Sequence, residues 1–278
     1  MKDTGERHII HHHFTNKSEL YLHLIHIATY EYAKMFISGK RVLDYGCGSG
    51  YGSHMLSETA ASVTGVDISK EAVDFADREY KSGNLNFKTI AELGNEKFDV
   101  ITSFQVIEHV PDDKEYAGKL KQLLNPGGIL IISTPDKKHR LFNYIQQPWN
   151  IYHLKEYTPE TLEKLLKKYF RQVEILKIGS DADLIHEEIR RTRKQRIALL
   201  PSTLCIYPHA LKIFLLNIQK KAFELLRKIR SGNNTQSQSQ QYISTGFIGQ
   251  YSHEDILLRK EMPYSTDLLA ICKNEEQI

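Results

Sequence analysis

Between residues 41 and 178, short apolar or β-branched runs alternate with segments of helical spacing, a pattern that restricts the chain to an open, mostly parallel sheet with helices on its faces. The runs at 41–46, 62–68, 85–90, 98–104, 128–134 and 172–178 are too short for helices, are rich in Val, Ile, Leu and Phe, and are expected to be strands. Residues 69–81 and 112–124 have helical spacing, the first opened by Ser69 and the second by Pro111 and Asp112. Thr158 and Pro159 start a further helix with Leu162, Leu165, Leu166 and Tyr169 on one face, and a helix over 18–36 precedes the sheet.

After Gly179 the character changes, with eleven Lys and Arg against five Asp and Glu between 181 and 231. Within that stretch Leu211, Leu215, Ile218, Ala222, Leu225 and Ile229 step by four and three, which predicts an amphipathic helix. Residues 231–241 carry no apolar side chain and are expected to be disordered. An apolar run at 265–273 then reads as a buried last strand. The chain therefore divides into an N-terminal helical lid (1–38), an α/β core that carries the glycine-rich loop (39–180), a basic helical insertion (181–262) and the final strand of the core (263–278).

Composition narrows the functional classes. A net charge of +3 is too small for a whole-chain clamp on nucleic acid, so a nucleic-acid partner is not expected. Three widely spaced cysteines form neither a disulfide framework nor a zinc knuckle, which points to a reducing, cytoplasmic compartment. No run approaches the ~18 uninterrupted apolar residues of a membrane span, and the His-rich start (His8, His11, His12, His13) reads as a mobile tail, so the chain is expected to be neither exported nor membrane-spanning.

The densest signal is Asp44-Tyr45-Gly46-Cys47-Gly48-Ser49-Gly50, set between a strand and a helix beginning near Tyr51. Alternating glycines open the backbone amides to close approach, and the helix N-terminus behind them favours negative charge, so an anionic or carboxylate-bearing ligand belongs there. Asp67 ends the second strand, where a carboxylate can accept both hydroxyls of a ribose. A dinucleotide loop would read G-x-G-x-x-G; here the spacing is G-x-G-x-G with an acid two residues ahead.

That loop resembles motif I of the class I S-adenosylmethionine-dependent methyltransferases. Residues 63–67, 98–100 and 124–128 resemble, in the family's order, its motif II, the opening of its fourth strand and the turn before its fifth. The resemblance implies an α/β, doubly wound, mostly parallel seven-stranded, Rossmann-like sheet and S-adenosyl-L-methionine as cofactor. It implies that Asp44, Tyr45, Gly46, Cys47, Gly48 and Gly50 hold the methionine part, with Asp44 near the ammonium group, Asp67 on the ribose and Ile68 beside the adenine. The acid that the family often carries after strand three is missing, which assigns the adenine edge to backbone near Ala91 or to Glu92. Ser103, Phe104 and Gln105 complete the expected pocket. Cys47 reads as a packing residue of the loop.

Ligands of open α/β sheets sit beyond the carboxyl ends of the strands, so the acceptor is expected against residues 105–110 and 137–157, with His26 and Tyr30 of the first helix as lid residues. Methyl transfer from a sulfonium is an in-line displacement that requires positioning, and a hydroxyl acceptor also loses a proton, a role that suits His. His153, His109 and Glu108 are the candidate catalytic residues, with the aromatics Trp149 and Tyr157 nearby. Glu108-His109 resembles a pair common in small-molecule methyltransferases. In quinone-pathway and RNA 2′-O-methylating relatives such residues join a distant His around a divalent metal, but those relatives have Glu where this chain has Gln105, and no metal is expected. Residues 40–53 and 153–159 resemble bacterial glycan-assembly methyltransferases, implying O-methylation of a sugar hydroxyl on a small-molecule or glycan acceptor. A quinone or phenolic metabolite is the alternative acceptor, followed by an RNA 2′-hydroxyl or a catalytically silent cofactor-binding module. The 211–229 helix could touch an anionic membrane surface, though its narrow stripe reads first as packing on the sheet or on a second subunit.

Overall fold

The computed structural model describes residue 14 and residues 16–231 and 249–275. The His tract and most of the 231–241 stretch lie outside the described residues. Helix α1 (Lys17–Ala33), capped by Asn16, leads through a short turn into strand β1 (Arg41–Tyr45). There follow α2 (Tyr51–Ser57), β2 (Ser62–Asp67), α3 (Lys70–Glu79), β3 (Leu85–Thr89), β4 (Phe98–Phe104), α4 (Asp113–Leu123), β5 (Leu124–Pro135), α5 (Lys137–Arg140), α6 (Pro159–Leu166) and β6 (Gln172–Ser180). Then come α7 (Leu184–Ala198), α8 (His209–Ser231), β7 (Ile256–Arg259) and β8 (Asp267–Lys273).

The strands form one sheet in the order β3-β2-β1-β4-β5-β8-β6-β7. β3, β2, β1, β4 and β5 are mutually parallel; β8 runs antiparallel to β5 and β6, and β7 antiparallel to β6. The sheet thus has eight strands rather than the expected seven, and the region read as a helical insertion returns a short edge strand, β7, to the sheet. Ile256-Leu257-Leu258 gives no period-2 alternation, and an edge strand of four residues lies below what such a pattern can resolve.

Both faces of the sheet are covered, so alternate residues of one strand serve different cores. Leu130 and Ile132 of β5, with Leu268 and Ala270 of β8, pack under α4 and α6. Ile131, Leu269 and Ile271 point the other way, toward α1 and α7. Tyr21, Leu24, Ile25 and Ala28 bury one side of α1, and Ser18 binds the buried Glu188 of α7. The basic insertion is therefore anchored to the first helix.

The apolar stripe of α8 does not pack on the sheet. Leu211, Ile218 and Leu225 are 40%, 49% and 60% exposed. The helix instead meets the body through buried Lys212 and Leu216 and through Gln219, which donates to Ala198 O at 2.6 Å and accepts from Ser202 Oγ at 2.6 Å. These fixed polar contacts, about a quarter-turn from the stripe, set the orientation of the helix. Among the described residues no helix is long and apolar enough to cross a membrane.

Candidate active site

The glycine loop leaves β1 and is tied to β2 by the Gly46 and Cys47 amides, which donate to Val66 O at 2.7 and 2.9 Å. Gly46 has φ +86°, and a side chain there would meet Val106 at 2.4 Å. Gly50, at φ +87°, caps α2, and a Cβ would lie 2.5 Å from Ala76. Two of the alternating glycines are therefore required both by conformation and by close approach.

Asp44 is buried below the loop, accepting from Ser53 Oγ (2.6 Å), Thr102 Oγ1 (2.9 Å) and Tyr30 OH (3.3 Å). Burial outweighs these hydroxyls and pushes its carboxyl up to about 6. Tyr30 reaches Asp44 from α1 because Gly52 presents no side chain where the phenol ring passes, and it stacks edge-on against Phe104 at 4.8 Å. Asp67 closes the loop from the other side: one oxygen accepts from Gly48 N at 3.1 Å, the other from Ser69 N at 2.8 Å. Ile68, next in the chain, is 84% exposed at the rim.

Other expected cofactor residues are committed elsewhere. Tyr45 packs edge-on against Tyr116 under α4, and Ser103 donates to Tyr45 O at 2.8 Å and bonds Tyr116 OH. Their side chains lie on the α4 side of the sheet, so these positions can serve the loop side only through backbone. Gln105, at φ +57°, sends its amide to Asp267 Oδ1 at 3.0 Å. Glu92 turns back on its own turn, accepting from Thr89 N and Oγ1 at 2.7 Å each, while Ala91 forms the middle of that turn. Cys47 is buried beside Val73, Ala76 and Phe87, and burial drives its thiol far above the ordinary range, which leaves it a packing residue.

On the acceptor side, Glu108, His109 and His153 come together. Ligand atoms of the three lie within 4.8 Å of one another, and the two imidazoles meet edge-on at 4.8 Å. The loop carrying His153 is held by Leu154 N donating to Glu108 O at 2.8 Å, and His109 Nδ1 lies 3.1 Å from Tyr152 O. His153 Nδ1 is 2.9 Å from Glu156 Oε1, and Arg140 lies 3.5 Å from the same carboxylate. Burial disfavours the Glu156 charge, but Arg140 and His153 together hold its carboxyl below the ordinary range. Glu108 accepts from Thr134 Oγ1 at 2.9 Å, whereas its other oxygen, Oε1, is buried without a hydrogen-bond partner among the described residues. Burial, partly opposed by His153, pushes the Glu108 carboxyl up to about 7.

Two imidazoles and a carboxylate with an orphaned oxygen are a donor set that fits a divalent ion without a ligand from Gln105. Sequence reasoning missed Arg140 and did not assign Glu156 a role; the spacing of Glu156 three residues after His153 was the available signal.

An open doubly wound sheet, a glycine loop at the end of its first strand and an acid at the end of its second define a nucleoside-cofactor-binding domain. A methyltransferase domain model matches residues 17–169, more than half of the chain. The chain belongs to the methyltransferase domain family. It is 36% identical over 131 residues to the ubiquinone biosynthesis O-methyltransferase of Coxiella burnetii (strain Dugway 5J108-111), covering 44% of this chain and 56% of that protein. It is 30% identical over 151 residues to a protein of Mycolicibacterium smegmatis named "Probable S-adenosylmethionine-dependent methyltransferase", covering 54% and 58%. The chain thus spans about half the length of the curated relatives it matches. A solved SAM-dependent methyltransferase of Thermotoga maritima, described as a possible histamine N-methyltransferase, shares the fold at a TM-score of 0.52 and 12% identity, over 94% of this chain and 97% of that one.

Proposed function

We propose that the chain transfers the methyl group of S-adenosylmethionine to a phenolic oxygen, on an acceptor of the quinone-precursor type. The observation that carries this reading is the cluster of Glu108, His109 and His153 beyond the end of β4, with Glu108 and His153 buried and His153 oriented by Glu156 and Arg140. A proton on Nδ1 directed at the Glu156 carboxylate puts the imidazole lone pair on Nε2, the atom that takes the acceptor's proton. The phenolate oxygen attacks the methyl carbon, the C–S bond breaks as the O–C bond forms, and an aryl methyl ether and S-adenosylhomocysteine leave. Glu156 stabilises the imidazolium until its proton passes to water. A divalent ion held by Glu108, His109 and His153, when bound, supplies Lewis-acid activation of the acceptor oxygen in place of imidazole basicity.

The sugar hydroxyl expected from the sequence has less behind it. A cleft of about 580 Å³ opens beside the loop that carries His153, lined by Trp149, Ile151, Leu199, Leu216 and Phe223 and by the polar side chains of Gln195, Asn217, Lys220 and Glu224. The apolar residues suit an aromatic or aliphatic body, while the polar ones would also serve hydroxyls, so the cleft alone does not separate the two acceptors. The relatives named for ubiquinone biosynthesis support the phenolic acceptor.

The test is transfer of an isotopically labelled methyl group to catechols and to a panel of sugars, with S-adenosylhomocysteine binding measured in parallel. Labelled aryl methyl ether is the expected product; labelled sugar with unlabelled catechol would reverse the assignment.

Asp44 adds a pH dependence. Its carboxyl, raised to about 6 by burial, becomes neutral below that pH and no longer complements the cofactor's ammonium. Affinity for S-adenosylhomocysteine is therefore expected to be flat above pH 7 and to fall below pH 6, approaching tenfold per unit, because the cation binds the ionised form. Calorimetric titrations from pH 5 to 8 check this. Asp44→Asn should bind more weakly and with no inflection near 6, and an inflection that persists in the variant would assign it to another group.

A further inference from the structure

We infer that a second cavity, beside the catalytic cluster, binds a compact oxyanion carried by the acceptor, a carboxylate or a phosphate. The inference rests on the proposed O-methylation at this site and specifies what else the acceptor carries.

The cavity, of about 80 Å³, lies between α5, α7 and the segment leading into β8, and its lining includes Arg140, Arg193, Arg196, Thr192, Tyr264 and Ser265. That volume holds several atoms of water size, enough for one carboxylate or phosphate and too little for a ring. Its charge is lopsided. The lining carboxylate, Glu188, is already neutralised, receiving both Arg191 Nε (2.7 Å) and Arg191 Nη2 (2.6 Å) and bonded to Ser18. Among the described residues, neither Arg193 nor Arg196 has an acidic partner.

The two guanidinium groups are nonetheless held in place. Arg196 lies over the Phe142 ring at 4.4 Å with its Nε buried and without a hydrogen-bond partner among the described residues. Arg193 lies over the Tyr264 ring at 5.7 Å, with one nitrogen 3.5 Å from the phenol oxygen. A buried donor on an uncompensated cation, as Arg196 Nε is, is costly unless something accepts from it. A planar fork of N–H donors is suited to carboxylate or phosphate oxygens, and the Tyr264 hydroxyl, which accepts from Arg193, adds a donor at the same space, whereas the Thr192 and Ser265 hydroxyls donate to Glu188 O and to Asp136.

The position ties this cavity to the reaction. Arg140 lines it and also pairs with Glu156, the carboxylate that orients His153. An oxyanion seated here fixes one end of the acceptor while its hydroxyl is presented to His153, and binding at a distance from the reacting oxygen is what aligns it for in-line attack.

The experiment compares kcat/KM for 3,4-dihydroxybenzoate with that for catechol in the full-length chain and in Arg193→Ala and Arg196→Ala. The expected ratio favours the carboxylated acceptor and falls about tenfold to a hundredfold in each variant, the loss of one charge-assisted contact. Arg193 is an exposed surface position, so its replacement leaves the fold intact. Benzoate and inorganic phosphate serve as competitors. Stronger competition by benzoate identifies a carboxylate group and stronger competition by phosphate a phosphate group, either one supporting the cavity if it weakens in Arg193→Ala. An unchanged ratio in both variants overturns the inference.

Direct calorimetric titration with both anions separates this inference from the methyl-transfer reading. If no catechol is methylated, binding that is lost in Arg193→Ala still supports the oxyanion cavity, whereas absence of binding overturns it.

Discussion

Replacing His153 by Ala is expected to lower kcat for the phenolic acceptor by about 10²- to 10⁴-fold while leaving S-adenosylhomocysteine affinity within a factor of about two. The imidazole is buried against Glu156 at 2.9 Å and edge-on to His109, and it lies on the acceptor side, across the strand ends from Asp44 and Asp67. On the proposed mechanism, removing it deletes the proton acceptor and, among the described residues, leaves the Glu156 carboxylate with Arg140 at 3.5 Å, so the loss falls on the chemical step. His153→Gln, which retains bulk and a hydrogen bond to Glu156 but cannot take the proton, should be as inactive as the alanine variant. Single-turnover rates with pre-bound cofactor check both variants. Full activity in His153→Gln would assign the histidine a purely structural part.

Asp67→Ala carries the other large effect, a loss of cofactor affinity of about a hundredfold or more. Two contributions add. Each hydrogen bond from a ribose hydroxyl to a carboxylate is worth about 1.5–3 kcal/mol, and every 1.4 kcal/mol is tenfold in affinity. The same carboxylate also accepts from Gly48 N and Ser69 N, so its loss releases the glycine loop, which on the proposed reading receives the methionine part of the cofactor. Calorimetry with S-adenosylhomocysteine measures the affinity, and circular dichroism should show the fold retained, because Asp67 stands at the end of β2 rather than within either core. Affinity within threefold of the native chain would remove Asp67 from the ribose site.

Strand positions were legible wherever an apolar run is closed by turn or cap chemistry. Residues 98–104 form β4 residue for residue, Asp112 caps α4 by accepting from Lys114 N and Glu115 N, and Thr158 caps α6 with Pro159 at its first position. These are local rules, satisfied by side chains within a few residues of the backbone they serve. β7 escaped because a four-residue edge strand is specified by its partner, β6, and not by its own pattern. The outcome for α8 has the same cause. Periodicity predicts that a helix forms and which stripe is apolar, but the contacts of Lys212, Leu216 and Gln219 decide which side meets the body.

In the site, the sequence by itself determined the glycine loop and the two acids that flank it: three glycines and Asp44 and Asp67 lie within one strand-loop-helix unit and the strand beside it, where spacing along the chain is nearly spacing in space. Only the tertiary structure decided the acceptor half. His109 and His153 share a contact because the loop after β5 folds back to hydrogen-bond Glu108, and Arg140, Arg193 and Arg196 share a cavity because α7 docks on α1 through Ser18 and Glu188. Gln105, which sequence placed at the cofactor, is drawn to Asp267 at the start of the last strand. Long-range pairings of this kind depend on how whole elements pack, and no short stretch of sequence encodes the distance between residues that meet only after the sheet has formed.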